Sequence, residues 1–330
     1  MSVLPPVDVP LDEAEAEAAF GAMLDGAAGD EEIAAFLVAL SDRGETASEI
    51  AGAARAMRAR MIPIEAPEGA IDVCGTGGDG HHTLNVSTAV SLVVAACDVP
   101  VAKHGNRAAS SKSGAADTLE ALGLRLDRAA ETAEATLKDL GICFLFAAKH
   151  HPSMARIMPI RKALGRRTIF NLMGPLANPA RVTRQLVGIA RPAYVPIYAE
   201  ALHRLGSDLS YVVSGDEGLD ELSLAGGNEL AVVTREGLRM GRAYPADAGL
   251  PVSPVDAIRG GDAAFNADAL RHLLMGKPGP YRDAVLFNAA AALQVAGAAA
   301  DWHEGAEEAA EAIDKGLAKA LLDCWIAALK

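Results

Sequence analysis

The densest chemistry in this chain lies between positions 75 and 88, GTGGDGHHTLNVST. Four glycines and an aspartate directly follow a short apolar run, AIDVC. Glycine is entropically costly to order, so a cluster of them implies either a surface turn or a loop whose bare backbone N–H groups approach an anion. The stretch lacks the GxxxxGK[ST] pattern and fits GxGxxG only loosely, with no helix opening at Gly80. Asn85, Ser87 and Thr88 stand before an apolar helical run, where they either cap the helix or add donors to the same anion, with Ser87 able to approach a metal.

Three further segments carry reactive residue types. KHGNRAASSKSG holds Lys103, His104, Arg107 and Lys112, the densest basic cluster, interleaved with Gly105, Asn106, Ser110, Ser111 and Ser113. It reads as a solvated turn or as the second half of a phosphate site. SGDEGLDELS holds Asp216, Glu217, Asp220 and Glu221. It reads as a solvated loop or, through the Asp220–Glu221 pair, as carboxylates for Mg²⁺, which takes one or two of them plus phosphate oxygens. Arg161, Arg166 and Arg167 offer planar forks suited to a carboxylate, or are surface charges. The pairs His81–His82 and His150–His151 have no third ligand at a metal-binding spacing.

Certain elements must position these groups. Before residue 70 the pattern is helical only: DEEIAAFLVALSDRG predicts a helix capped by Asp30, with Ile33, Phe36, Leu37 and Leu40 on one face. Thr46 and Glu49 have capping-box spacing. From Ile71, β-branched runs (IDVC, VPVAKHG, ICFLFA, QLVGIA, LSYVVSG) alternate with helical patterns over STAVSLVVAAC, GAADTLEALG, AAETAEATLKDLG and AYVPIYAEALHRLG. That alternation predicts βαβ crossovers, a largely parallel central sheet flanked by helices, and both glycine-rich and basic loops at its C-terminal edge. DAVLFNAAAALQVAG and the segment from Gly305 to Lys330 read as closing helices.

The bulk numbers narrow the class. A chain of 330 residues, 51% hydrophobic and 22% charged, has material for one large α/β domain and one small helical one. Its net charge of −13 argues against a general nucleic-acid binder. Cys74, Cys97, Cys143 and Cys324 form no CxxC pair, which fits reduced thiols in a cytoplasmic protein. The opening MSVLPPVDVPLDEAEAEAAF reads as a disordered lead rather than a signal peptide, and no apolar stretch suits a membrane span.

The segments GTGGD, NVST, KHGNRAASS, SGAADTLEALG, HHPSM, RKALGRRTIFNLMGPLANP and GLDELS follow one another between about residues 70 and 225. In that order the chain resembles the anthranilate phosphoribosyltransferase family. The resemblance implies a helical domain over 1–69, joined by a mid-chain segment near 160–185, and an α/β domain over 70–330. It also implies a homodimer built through the helical parts and a role in tryptophan biosynthesis.

It further implies that Gly75, Gly78, Asp79, Thr83, Asn85, Val86, Ser87 and Thr88 surround phosphoribosyl pyrophosphate. Lys103, His104, Gly105, Asn106, Arg107, Ala108, Ala109, Ser110 and Ser111 would complete that site. Ser87, Asp220 and Glu221 would hold Mg²⁺, while Gly75, Asn106 and Arg161 would face anthranilate. Ala115 departs from relatives that often carry Ser there, removing one hydroxyl contact to the phosphorylated substrate. No general base is implied. Two rivals are a pyrimidine nucleoside phosphorylase, which would not need KHGNR and GLDE together, and a non-catalytic nucleic-acid-binding relative, which the acidic charge disfavours.

Overall fold

The computed structural model describes residues 2–108 and 112–330. The chain opens with α1 (Glu13–Asp25), α2 (Asp30–Arg43) and α3 (Ala47–Arg58). Capping boxes start α1 at Asp12 with Glu15 and α3 at Thr46 with Glu49, satisfying N–H groups that have no partner inside the helix. In α2, Asp30 is the first helical residue and Gly29 occupies the cap position without a side-chain bond. Three acidic residues in the first turn, Asp30, Glu31 and Glu32, complement the helix dipole there instead.

The lead before α1 is packed rather than disordered. Leu4, Val7 and Leu11 are buried, and Glu32 accepts the N–H groups of Val3 and Leu4 at 2.6 and 2.8 Å. Glu49, fully buried, accepts the N–H of Leu11 at 2.9 Å and pairs with Arg43.

The α/β part contains β1 (Ile71–Gly75), α4 (Val86–Ala95), β2 (Val101–Gly105), α5 (Ala115–Leu122), α6 (Leu126–Ala129), α7 (Ala133–Leu140) and β3 (Ile142–Phe146). There follow α8 (Ala147–His150), α9 (Met154–Leu164), β4 (Arg184–Gly188), α10 (Val195–Arg204) and β5 (Leu209–Gly215). β6 (Asn228–Thr234), β7 (Leu238–Ala243), α11 (Ala263–Leu274), α12 (Pro280–Ala296), α13 (Trp302–Asp314) and α14 (Leu317–Ala328) complete it.

The sheet order is β3-β2-β1-β4-β5-β6-β7, parallel through β5 and antiparallel across β6 and β7. Strand order reverses between β1 and β4, the kind of switch point where open α/β sheets bind ligands.

Several elements differ from the sequence reading, α9 and α11 among those it did not contain. The helix read over AAETAEATLKDLG starts later, as α7 at Ala133, because Thr132 leaves helical geometry at its cap, and only Ala129 of the segment belongs to the short α6 before it. Gly316, at φ 73°, divides the last helical stretch into α13 and α14. β6 and β7 went unread: β7 (LRMGRA) is exposed along nearly its whole length and so carries no apolar alternation.

Alternating strand residues feed opposite faces. Leu186, Val213 and Leu230 pack with α4, α5, α11, α12, α13 and α14. Val187, Val212, Ala231 and Val233 pack with α10, α9, residues 169–177 and the three N-terminal helices in one continuous core. α7 covers Ala102, Cys143 and Leu145 on that same second face.

The turn after β5 lies over the ends of β1 and β4. A side chain at Gly75 would run into the Asp220 carboxylate, and one at Gly188 into the Asp220 carbonyl. From α12, fully buried Asn288 accepts the Leu222 N–H and donates to the Leu222 carbonyl, both at 2.9 Å. Asn288→Leu should therefore strand two buried backbone groups and lower the unfolding free energy by about 2–4 kcal/mol. Urea denaturation would show this as a lower midpoint at unchanged slope.

Candidate active site

β1 and β2 share only the Ile71–Val101 register before they part. Two charged side chains take over the lost ladder. Lys103, 2% exposed, donates from Nζ to the Val73 carbonyl at 2.7 Å, and Asp72, fully buried, accepts the His104 N–H at 3.1 Å. Asn178 donates to the other Asp72 oxygen at 2.8 Å. Burial pushes the Asp72 carboxyl up to about 6 despite the nearby lysine. The Lys103 ammonium also reaches Ser87 Oγ, at 3.4 Å, so the basic loop and the start of α4 meet.

The glycine loop follows β1 at the switch point. Gly77, Gly78 and Gly80 take φ of +70°, +75° and +83°, a backbone that side chains rarely adopt. The Gly77 N–H donates to Asp220 Oδ2 at 2.6 Å, and the His81 N–H to Asp79 Oδ1 at 3.0 Å. Residues 82–84 are tied to the segment before α11: Leu84 N–H donates to the Ile258 carbonyl and Gly260 N–H to the His82 carbonyl, both at 2.8 Å, and Thr83 bridges Arg259.

Asn85 occupies the cap position of α4 but makes no capping bond. Its Oδ1 accepts instead from Thr118 Oγ1 at 2.5 Å and Asn266 Nδ2 at 2.8 Å, while its Nδ2 donates to the Ser113 carbonyl at 3.4 Å. Tyr281 donates to the Asn85 carbonyl at 3.1 Å. Val86 and Thr88 are buried, the Thr88 hydroxyl without a hydrogen-bond partner among the described residues.

Across from Lys103 stands the acidic pair. Glu221 accepts the Ser87 N–H at 3.1 Å, so a carboxylate meets the positive end of α4. Loss of surrounding water raises the Asp220 carboxyl well above its usual range, reinforced by Asp79 and Glu221. Desolvation likewise raises Glu221 to about 7, against the pull of Lys103. Two crowded carboxylates beside the Ser87 hydroxyl are a hard-oxygen donor set that a divalent cation would relieve, so these residues fit Mg²⁺. Among the described residues, no three His, Cys, Asp or Glu side chains form a closed cage. Mg²⁺ bound with substrate phosphate does not need one.

The other residues named from sequence are distributed around this core. His104 is buried, its Nδ1 2.8 Å from the Gly174 carbonyl and its Nε2 unpartnered among the described residues. Burial and the neighbouring His151 ring push it down to about 3, so it stays a neutral imidazole. Gly105 lies against Phe144 and Ala115, where a side chain would be crowded. Asn106 accepts the Ala116 N–H on its carbonyl at 3.2 Å.

Arg107 turns towards α5, pairing with Asp117 at 2.8 Å and Glu120 at 2.9 Å, and Ala108 N–H donates to Asp117 at 2.9 Å. Ala109, Ser110 and Ser111 lie outside the described residues. Arg161 stands on α9 with its guanidinium 5.9 Å from the centre of the Phe170 ring. Burial lowers its pKa, and no carboxylate pairs with it among the described residues. Arg166 pairs with Asp42, while Arg167 donates to the carbonyls of Gly77 and Gly78.

Sequence reasoning missed Asp72, Gly188, Asn266, Tyr281 and Asn288. Asp72 inside an apolar strand and Asn288 inside an apolar helix carried a usable signal, because a buried polar group needs a dedicated partner. Gly188 in a strand was another, pointing to close backbone approach.

Residues 9–61 match the helical bundle domain of a glycosyl transferase family, and residues 67–319 match that family's a/b domain. The chain is 82% identical, over all 330 residues of both proteins, to the anthranilate phosphoribosyltransferase of Novosphingobium aromaticivorans. It superposes on the crystal structure of the Thermus thermophilus enzyme of that name with a TM-score of 0.93, at 42% identity, covering 98% of this chain and 97% of that one. The Saccharomyces cerevisiae enzyme in complex with PRPP and Mg matches with a TM-score of 0.88 at 28% identity, covering 97% and 93%. With both domains matched, in sequence and in backbone course, the chain belongs to the anthranilate phosphoribosyltransferase family.

Proposed function

We propose that this chain transfers the phosphoribosyl group of 5-phosphoribosyl 1-pyrophosphate to the amine of anthranilate in tryptophan biosynthesis. The products are N-(5-phosphoribosyl)anthranilate and pyrophosphate. The observation that carries the reading is the convergence, at one sheet edge, of the positive-φ glycine loop, the buried Lys103 ammonium and the Asp220–Glu221 pair. The loss of anthranilate fluorescence on adding phosphoribosyl pyrophosphate and Mg²⁺ tests it. No loss, together with phosphorolysis of thymidine or uridine, would favour a nucleoside phosphorylase instead.

In this reading Gly75, Gly78, Asp79, Thr83 and residues 85–88 line the pyrophosphate and ribose, completed by residues 103–111 and Ala115. Ser87, Asp220 and Glu221 hold Mg²⁺, which neutralises the pyrophosphate charge when bound. Gly75, Asn106 and Arg161 face anthranilate. A helical unit of residues 1–69 takes in the chain near 160–185, supported by Ile157, Ile160, Ile169 and Phe170 sharing a core with α1–α3. The family resemblance supports a homodimer through that unit, and four cysteines without a CxxC pair support a cytoplasmic location.

The bond from the anomeric carbon to pyrophosphate oxygen breaks as the amine nitrogen forms its bond to that carbon, and the amine then loses a proton. Negative charge builds on the leaving oxygen. Lys103 and the loop N–H groups are already oriented before that charge develops, so they stabilise the transition state more than the ground state. Placement does the rest. No side chain is assigned as general base.

Arg161→Ala should raise the anthranilate KM about 10- to 150-fold, because a charge-assisted contact contributes about 1.5–3 kcal/mol. Steady-state kinetics at saturating phosphoribosyl pyrophosphate would show it, and an unchanged KM would assign the carboxylate to another arginine.

The raised carboxyls also set a pH dependence. Asp72, Asp220 and Glu221 hold protons in the folded state to a higher pH than they do unfolded. Between about pH 4 and 7 these three carboxyls bind fewer protons in the unfolded chain, so their contribution to metal-free stability falls as pH rises, while the buried His104, His150 and His151, pushed down by desolvation, contribute in the opposite sense. The rise in melting temperature produced by Mg²⁺ should be larger at pH 8 than at pH 6, where the acidic pair still holds protons that the ion must displace. A Mg²⁺ effect independent of pH would remove Asp220 and Glu221 from the metal site.

A further inference from the structure

Arg167 follows α9, on the stretch that packs with the N-terminal helices: its own carbonyl accepts from Ser41 of α2 at 3.2 Å, and Ile169 and Phe170 enter the same core. Its guanidinium leaves that layer and crosses to the glycine loop. One nitrogen, Nη1, donates to the Gly78 carbonyl at 2.7 Å and the Gly77 carbonyl at 3.3 Å.

Asp220, Asp79 and Glu45 lie near enough to attract it, but none pairs with it among the described residues. Glu45, in the same cleft, is already bonded by the Tyr194 hydroxyl at 2.7 Å, and Arg167 has no ion pair among the described residues. A side chain on Gly78 would meet Nη1, so the missing Cβ leaves room for the guanidinium to approach the loop.

The consequence follows from the peptide plane. In a trans peptide the carbonyl of one residue and the N–H of the next point in opposite directions. Drawing the Gly77 and Gly78 carbonyls towards Arg167 therefore turns the Gly78 and Asp79 N–H groups away from it. Neither N–H has a hydrogen-bond partner among the described residues. The Gly77 N–H is committed to Asp220. The loop is thus held from two sides with two donors left open, the nest arrangement that receives an anion.

We propose that Arg167 is a positioning residue: from the helical layer it sets the orientation of the glycine loop that receives pyrophosphate, without itself touching the substrate. This rests on the reading of that loop given above. The wild-type enzyme in the same fluorescence assay separates the two: an inactive wild type fails the function, and calorimetric binding of phosphoribosyl pyrophosphate, weaker in Arg167→Gln than in wild type if the proposal holds and equal if it does not, still decides the role of Arg167.

With an active wild type, Arg167→Gln should raise the KM for phosphoribosyl pyrophosphate about tenfold or more. The anthranilate KM should stay within about twofold of wild type and the melting temperature should be unchanged. Arg167→Lys, in which one nitrogen can still bridge both carbonyls, should return the KM to within about threefold of wild type. Plots of log KM against log salt concentration should run parallel for Arg167→Gln and wild type, because the arginine bonds neutral carbonyls. A shallower slope in the variant would show a direct charge contact with the phosphates and overturn the proposal. It is equally overturned if the anthranilate KM alone rises, if both KM values rise with a lower melting temperature, if neither moves, or if lysine recovers nothing.

Discussion

The parting of β1 from β2 is the constraint on which the rest depends. A parallel ladder abandoned after one pair leaves backbone groups of both strands without partners inside the sheet. Ordinary side chains could not fill that gap in a buried position, but Lys103 and Asp72 do, one donating to β1 and the other accepting from β2. The gap thereby acquires a fixed ammonium at a sheet edge of a chain whose net charge is −13. An isolated buried charge would be costly. Here both Asp72 and Glu221 lie close enough to feel it, so the ammonium that stabilises the strands is itself compensated.

Close backbone approach is the second requirement, and glycine meets it in two ways. Gly77 and Gly78 are needed for their positive φ, which sets the open donors of the loop. Gly75 and Gly188 are needed for the space above them, since any Cβ would displace the Asp220 turn that carries the acidic pair. The metal-binding candidates are thus seated directly on the strands that carry the phosphate loop. Asn288, on α12, fixes the same turn through both backbone groups of Leu222.

How far these features were legible in sequence depends on how local their causes are. The glycine loop, the basic loop and the parallel strands leading into them could be read, because each is a strand followed by turn chemistry within a dozen residues. Asp220 and Glu221 could be named as a pair, but their neighbours Ser87 and Lys103 lie more than a hundred residues away and became known only from the fold. β7 was invisible because an exposed edge strand has no apolar face to repeat, and β6, though its Leu230, Ala231 and Val233 are buried, went unread beside it. The lead before α1 looked disordered because its prolines and acidic residues mask Leu4, Val7 and Leu11, whose burial is decided by α2 and α3. Asn85 reads as a helix cap by position, yet tertiary partners on α5, α11 and α12 claim its side chain and carbonyl. In each miss, a distant contact overrode the local signal.

The same distinction bears on how the two parts of the molecule act together. The core beneath β4, β5 and β6 runs without a break through α10 and residues 169–177 into α1–α3. A boundary near residue 70 drawn on secondary structure alone therefore separates residues that are packed as one body on that face. Polar contacts cross the same junction closer to the site: Ser41 holds the Arg167 carbonyl, Tyr194 holds Glu45, and Arg167 holds the glycine loop. Close-packed side chains transmit displacement rather than absorb it. A shift of the helical layer by even a fraction of an ångström must then reposition Arg167, while the other anchor of the loop, Asp220, stays with the sheet. Holding the loop between one anchor on each layer makes its shape depend on how the layers are seated.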